Sequence, residues 1–278
     1  MEAVAERAYE EPRSTTFAEL GRPFALFEAP IEEAAGLDPI GHCSICLYLP
    51  KPTLKLGVGS GVVVRCRMCG TPHALDADLQ ENTSCRACGR RVKFPRLEEL
   101  WDFIGKKRKQ TVITCCDCLR SGRAAISKLT EYGIVTWESA LEGLIDWVPE
   151  GASCPMRVVR LGRGRHGALV PGRALLELVC TPMYRSWMTP VWLFCCGEPM
   201  TYIGAWSNEQ FQRAASDGDG KALLAEVLTD GRRLAHDALW HHGFGYDPRV
   251  YVFRCRQCVR LRANWDRNPA YTREPRHV

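Results

Sequence analysis

No stretch of this sequence approaches the roughly 18 uncharged apolar residues that a membrane-spanning helix needs, so no membrane segment is expected. The amino-terminal run Met1-Glu2-Ala3-Val4-Ala5-Glu6-Arg7 is charged and lacks the apolar core of a secretory signal, which points to the cytoplasm. Common catalytic signatures are missing too. There is no His-Glu-x-x-His helix, phosphate-binding Gly-x-x-x-x-Gly-Lys loop, Gly-x-Ser-x-Gly elbow, or zinc-deaminase His-x-Glu with Pro-Cys-x-x-Cys. An enzyme is therefore not expected. The balance of 46% hydrophobic and 25% charged residues carries no signature of disorder. The 15 cysteines among 278 residues fall below the density of a disulfide scaffold, and their odd number would leave one thiol over.

What those cysteines do form is pairs. Cys43/Cys46, Cys66/Cys69, Cys85/Cys88, Cys115/Cys118 and Cys255/Cys258 are each separated by two residues, so one tight turn can present both sulfurs to a tetrahedral ion. In a reducing compartment such pairs hold metal more often than they form bridges. The stretch 61–94 repeats the motif as C-x2-C-x15-C-x2-C, with Gly70 and Gly89 directly after the second cysteine of each pair. That is the spacing of a zinc ribbon, with Val62–Arg65 as its entering strand and Val92-Lys93-Phe94 as its return strand. The net charge of +5 is unevenly spread. Lys106–Lys109 form one basic run, Arg160, Arg163 and Arg165 sit in a glycine-broken loop, and the carboxy-terminal stretch is arginine-rich. Acidic residues gather at Glu98, Glu99 and Asp102, and at Glu138, Glu142 and Asp146. Such asymmetry steers charged partners.

Along the chain, residues 1–60 read as an irregular entry region with Phe24–Phe27 as a short buried strand. The spacing of Leu97, Leu100, Trp101 and Ile104 predicts a helix, as does the run from Ala124 through Leu129 to Gly133. Thr136 should cap a helix with Trp137, Leu141, Leu144, Ile145 and Val148 on its inward face, stopped by Pro149. Residues 149–172 are the linker candidate, dividing an amino-terminal knuckle domain (1–150, with the ribbon at 61–94) from a carboxy-terminal α+β domain (151–278). In the second half, a helix near Arg173–Val179 precedes strands at Val191–Cys195 and Thr201–Ala205, around a turn at 196–199. A capping box at Ser207/Gln210 comes next, then a long amphipathic helix from Leu223 to Leu239. The strand Val250–Phe253 delivers Cys255 and Cys258.

Several of these segments together resemble the CbrC family of cysteine-rich bacterial proteins. Phe24-Ala25-Leu26-Phe27 through Cys43-Ser44-Ile45-Cys46 is similar to the family's opening, and Cys115-Cys116-Asp117-Cys118-Leu119 with Gly122 and Ala124-Ala125 to its second knuckle. Thr181-Pro182-Met183-Tyr184-Arg185-Ser186-Trp187, with Trp192-Leu193-Phe194-Cys195-Cys196-Gly197 and Tyr202-Ile203-Gly204, resembles its central stretch. Tyr251-Val252-Phe253-Arg254-Cys255-Arg256-Gln257-Cys258 resembles its ending. The ribbon stands as an insertion between the first two knuckles. The family's His-Cys is Cys195-Cys196 here, and its next cysteine falls on Met200, which leaves the last site one obvious ligand short.

The expected architecture is α+β, with small antiparallel sheets and helices pinned by two or three structural Zn2+ sites. Cys43 and Cys46 should meet Cys115 and Cys118, and the ribbon should close its own site with Cys66, Cys69, Cys85 and Cys88. A third would use Cys196, Cys255 and Cys258, with Cys195 as the leading fourth ligand and a histidine such as His241 or His242, or an empty site, as the alternatives. Adjacent cysteines on one strand diverge, which counts against Cys195. Cys116, Cys154 and Cys180 are expected as small buried hydrophobes. The resemblance implies a cytoplasmic immunity protein that blocks a bacterial toxin domain by direct binding. Tyr184, Arg185, Trp187, Trp192, Arg262, Trp265 and Tyr271 are of the types enriched at binding hot spots. Inhibitors of basic nucleases need an acidic face, which only the clusters near 98–102 and 138–150 could supply in this net-basic chain. The alternative is a ribbon that binds nucleic acid through Arg65, Arg67, Arg86, Arg90 and Arg91.

Overall fold

The computed structural model describes residues 15–46, 51–57, 62–66, 68–74, 85, 87–90, 98–101, 108–148, 154–228, 239–240 and 248–268. The expected return strand at 92–94, His241, His242 and Tyr271 lie outside them. Among the described residues no helix is long and apolar enough to cross a membrane.

The architecture is α+β, assembled from small, mostly antiparallel sheets. Residues 24–27 are a tight turn rather than a strand: Phe27 N–H bonds the Phe24 carbonyl, while Phe24, Leu26 and Phe27 are buried. The first strand β1 (Leu37–Gly41) pairs with β2 (Lys51–Gly57), so the entry region is less irregular than expected. Strand β3 (Val62–Arg65) pairs with β4 (Pro72–Ala74) on one side. Strand β5 (Glu98–Trp101) replaces the helix expected there and lies antiparallel to β6 (Arg108–Cys115), whose other edge holds β2. A helical spacing of four apolar residues is a weak prior, and an open strand edge overrides it.

Helix α1 (Cys116–Arg120) is a single turn, after which Gly122 at φ +66 reverses the chain. Three short strands then stand where a helix was expected: β7 (Ala124–Ile126), β8 (Lys128–Thr130) and β9 (Gly133–Val135). Strand β7 pairs with the free side of β3, which weaves the ribbon's entering strand into the main fold. Helix α2 (Trp137–Glu142) has the expected Thr136 cap, here a reciprocal box with Ser139, and ends at Gly143 with φ +68. It is shorter than its apolar spacing implied. Leu141 is exposed, and Leu144–Ile145 form strand β10.

The expected linker holds a hairpin, β11 (Arg157–Gly162) and β12 (Arg165–Leu169), turned by Gly162, Arg163 and Gly164, all at positive φ. Strand β10 pairs with β12, giving the order β10-β12-β11. Helix α3 (Gly172–Val179) follows, then β13 (Val191–Trp192), which lies parallel to β8. Strands β14 (Phe194–Cys195) and β15 (Glu198–Pro199) make a two-residue hairpin before β16 (Thr201–Trp206). Helix α4 (Asn208–Ala214) carries the expected Ser207/Gln210 box. Helix α5 (Gly220–Val227) starts earlier than expected, capped by Asp219, and Leu228 beyond it is extended. Finally β17 (Arg249–Arg254) pairs with β16 and β18 (Leu261–Asp266).

Strand β17 explains why its sequence is a continuous apolar run. Tyr251 and Phe253 enter the main core, whereas Val250 and Val252 enter a second cluster with Phe211, Leu224 and Val227. A strand buried on both faces has no polar side to alternate. The main core is aromatic at this end. Tyr184 stacks on Tyr202 at 4.6 Å and meets the Phe253 ring at 5.6 Å, and Phe27 reaches Tyr202 at 5.3 Å. The Tyr184 hydroxyl donates to the Val191 carbonyl and accepts from its N–H, both at 2.9 Å, and Trp192 Nε1 donates to Met200 O at 2.8 Å. Tyr184 and Trp192 are thus core residues, not the interface residues their types suggested.

Lys128 is fully buried on β8, its Nζ donating to the Thr181 carbonyl at 2.7 Å and lying 5.4 Å from the centre of the Trp192 ring. Burial pushes its pKa well below the usual lysine value, and the nearby Cys180 only partly opposes this. The neutral amine gains nothing from the ring face, since that attraction needs a cation. Below the ordinary lysine pKa the unfolded chain binds a proton that the folded chain refuses, so this residue makes stability fall as pH drops from alkaline to neutral. Lys128→Met is expected to raise stability by on the order of 1 kcal/mol at pH 7. The gain should shrink as pH approaches 10, in thermal melts at several pH values.

Candidate metal centres

Twelve cysteines converge into three groups of four, with all sulfurs of a group within 4.8 Å of one another. The first joins Cys43, Cys46, Cys115 and Cys118. Pairing of β2 with β6 sets Cys115 opposite Thr53, and Ser44 N–H to Ile113 O at 2.9 Å clips the first knuckle onto β6. Sulfur separations are 3.8 Å for Cys43–Cys118 and 3.8 Å for Cys46–Cys115. The backbone N–H groups of Cys46 and Cys115 point at Cys43 Sγ, at 3.5 and 3.3 Å. The Cys43 thiol is pulled down to about 3, chiefly by hydrogen bonds from Cys115 and Cys118, and Cys118 correspondingly shifts up. Lys51 Nζ and Arg22 Nε hold Asp117 at 3.1 and 3.3 Å beside the group, a positive flank for a cluster of thiolates.

The second group is Cys66, Cys69, Cys85 and Cys88, with separations of 3.9 Å (Cys66–Cys88) and 3.4 Å (Cys69–Cys85). Its knuckles are built alike. Gly70 and Gly89 N–H bond back to the Cys66 and Cys85 carbonyls, and Cys66 and Cys85 N–H bond forward to Thr71 and Arg90. Glycine suits the fifth position because φ there is +75 and +65. Cys69 is lowered to about 6, first by the Thr71 hydroxyl at 3.1 Å.

The third group is Cys195, Cys196, Cys255 and Cys258. It is complete without a histidine, and Met200, fully buried, is not a gap in it. The expectation that adjacent cysteines would diverge is corrected by the backbone. Cys196 is not on a strand but in the β14–β15 turn, at φ +51, followed by Gly197 at +83. That left-handed turn swings its sulfur back to within 3.8 Å of Cys195, which also lies 3.6 Å from Cys258. The Cys258 thiol is lowered to about 7, first by the Arg260 backbone N–H. This knuckle repeats the bonding of the ribbon's, with Cys255 N–H to Arg260 O and Val259 N–H to Cys255 O. Val259 stands where the others have glycine, at φ +59 and 70% exposed. A β-branched residue is strained there, so Val259→Gly is expected to raise stability by about 1 kcal/mol, read as a small rise in melting temperature.

The remaining cysteines behave differently. Cys116 and Cys180 are each raised to about 11, mainly by burial, and Cys154 is raised for the same reason. Cys116 is buried as expected, whereas Cys154 and Cys180 are half-buried. Of the ribbon arginines, Arg65 is committed within the fold: Nε donates to Gly70 O at 2.9 Å and the guanidinium lies over Trp137. Arg67, Arg86 and Arg91 lie outside the described residues, and Arg90 is exposed. Sequence reasoning missed the ion pair beneath the third group. Arg262 makes a two-pronged contact with Glu131 (2.6 and 2.9 Å), and Glu131 Oε1 also accepts Phe194 N–H at 2.7 Å.

Four sulfurs around an ion at a metal–sulfur distance of about 2.3 Å would lie about 3.8 Å apart if tetrahedral. The separations of 3.4–3.9 Å match that shape before any ion is considered. A donor set of four soft thiolates with no open position suits a closed, structural centre and a metal such as zinc. The molecule is therefore an α+β protein with three four-cysteine groups that could each hold a metal ion. A match over residues 72–267 places it further: the chain belongs to the uncharacterised protein family UPF0167. That range includes Cys85, Cys88, Cys115, Cys118 and the whole third group, and leaves Cys43, Cys46, Cys66 and Cys69 before it. Comparison with curated proteins and with solved structures returned no match.

Proposed function

We propose that the chain is a zinc-stabilised binding protein of the CbrC type, carrying the ribbon as an insertion, and that it neutralises a bacterial toxin domain by direct association. The zinc identity is supported by all-sulfur donors at tetrahedral spacing. The insertion is supported by the second group lying wholly between the two halves of the first. One observation carries the binding role: the exposed face of α2 and its flanks is both acidic and apolar. Glu138, Leu141 and Glu142 lie on one helix side, followed by Asp146 and Trp147. Leu141 and Trp147 are 58% and 54% exposed, and Ile134 is 54% exposed. Trp147 backs onto Gly133, the residue before Ile134 in β9.

An exposed aromatic near exposed carboxylates in sequence suits a basic partner such as a nuclease domain. The helix is rigidly presented, so little ordering is needed on association. The zinc ions would supply only structure. In the cytoplasm the chain would meet such a toxin before it acted. The test is co-expression with candidate toxin domains from the same genome. Growth should be rescued by the wild-type chain and lost with Trp147→Ala combined with Glu142→Lys, while metal content and melting temperature stay unchanged. Rescue by no toxin domain, or rescue indifferent to that pair of substitutions, overturns the reading.

A further inference from the structure

We propose that the free edge of β11 docks an extended, acidic segment of a partner protein, added as a further strand to the β10-β12-β11 sheet. This goes beyond toxin neutralisation through the α2 face and does not depend on it. Strand β11 is outermost in its sheet, and among the described residues it pairs only with β12. The direction of its backbone groups follows from the neighbouring bonds. His166 O accepts Val148 N–H, and Val170 N–H reaches Gly143 O, so positions 166, 168 and 170 turn toward β10. Alternation then turns Gly167 and Leu169 toward β11, where they meet Val159 and Arg157. Val158 and Arg160 are left with N–H and C=O pointing outward, toward an edge that no described residue pairs with. Val158 is 45% exposed and Arg160 is exposed.

Charge selects the occupant. From Arg157 to Leu169 the hairpin carries Arg157, Arg160, Arg163, Arg165 and no carboxylate. Among the described residues these arginines are in no ion pair. Four guanidiniums on one short hairpin repel a second copy of the same edge, which is how edges are guarded against self-association. They attract an acidic strand. Between them Val159 and Leu161 are half-buried and Leu169 is 39% exposed, so alternate apolar residues on the incoming segment also find contacts. The register shift between Arg160 and Gly162 ends the straight edge, limiting the added strand to a few residues. A phosphate backbone could accept from the arginines and the outward N–H groups but has no donor for the outward carbonyls, which favours a peptide.

The test uses the full metal-loaded chain and a synthetic peptide alternating glutamate and valine, with a lysine–valine peptide as control. The glutamate peptide should bind saturably, more weakly as salt rises, and slow amide exchange at Val158 and Arg160. Val158→Pro removes an outward N–H and leaves the bonds to β12, so it should fold and bind at least tenfold more weakly. Arg157→Glu with Arg160→Glu keeps the backbone and should invert the preference toward the lysine peptide, which tests the proposal even if the proline variant does not fold. Unchanged affinity in Val158→Pro, no inversion in the charge-reversed variant, or protection of the same amides by a single-stranded oligonucleotide each overturns it. So does a concentration-dependent dimer that Val158→Pro abolishes.

Discussion

Metal-free protein is expected to lose its cooperative fold, and Cys118→Ser to come close to the same result by disabling the most buried centre. Cys43, Cys115 and Cys118 are each no more than 2% exposed and belong to the main apolar core. They tie the knuckle after β1 to the end of β6 and the start of α1, so that one ion would close a loop of more than 70 residues. Structural zinc centres contribute apparent free energies of about 10–16 kcal/mol, whereas a whole domain has only about 5–15 kcal/mol of net stability. Loss of that one centre therefore suffices to unfold the chain. The other two should answer locally. Cys66, Cys85 and Cys88 of the second form a small apolar cluster of their own, and Cys196 and Cys258 of the third are exposed. Cys88→Ser and Cys196→Ser should keep the main transition and lose one metal each. Protons compete for thiolates, so all three centres should weaken as pH falls, and the fold with them. Calorimetry with metal analysis decides it: an unchanged melting temperature after chelation would remove the basis for the centres altogether.

Much of the candidate site was legible because two-residue spacing between cysteines is a local fact that folding cannot disguise. The second group follows from that spacing alone; the first also needed the self-contained ribbon set aside and the family resemblance. The third required a backbone detail: Cys196 in a left-handed turn, which no pattern of residue types displays unless Cys-Gly at a strand end is read as a hairpin turn. The fold was legible where an element carries its own stop signals, as with Thr136 and Ser139, Ser207 and Gln210, or the two-sided strand β17. It was misread where short apolar runs obey two periodicities at once. Ala124–Gly133 reads as a helix by spacing, yet Gly133 at φ +115 and the pairing of β7 with β3 make strands of it. Residues 157–169 looked like a linker because arginine and glycine mask the alternation of an exposed hairpin. Lys128 gave no signal. A lysine between apolar strands is buried by its neighbours' pairing, not by anything in its own surroundings in sequence.

Arg262→Ala should be the most damaging change among residues that hold no metal. Arg262 and Glu131 are only 23% and 19% exposed, and their contact joins the turn after β8 to β18. Burial disfavours the Arg262 charge, but the Glu131 carboxylate outweighs this and its pKa rises. The pair also grips the backbone of one residue on both sides: Glu131 accepts the Phe194 N–H, and Arg262 donates to the Phe194 carbonyl. Phe194 immediately precedes Cys195, so the pair positions the β14–β15 turn that presents two of the third centre's sulfurs. Removing the guanidinium leaves a largely buried carboxylate without its partner, at a cost of about 3 kcal/mol. For a chain of this size that is a fall in melting temperature of roughly 6–12 °C. The third centre should also lose metal first. Adding Glu131→Gln to Arg262→Met removes the stranded charge yet keeps an acceptor for the Phe194 N–H, so this double variant should recover much of the loss. Equal damage in single and double variants would mean that the carboxylate was never the burden. Full metal occupancy in Arg262→Ala would detach the ion pair from the centre above it.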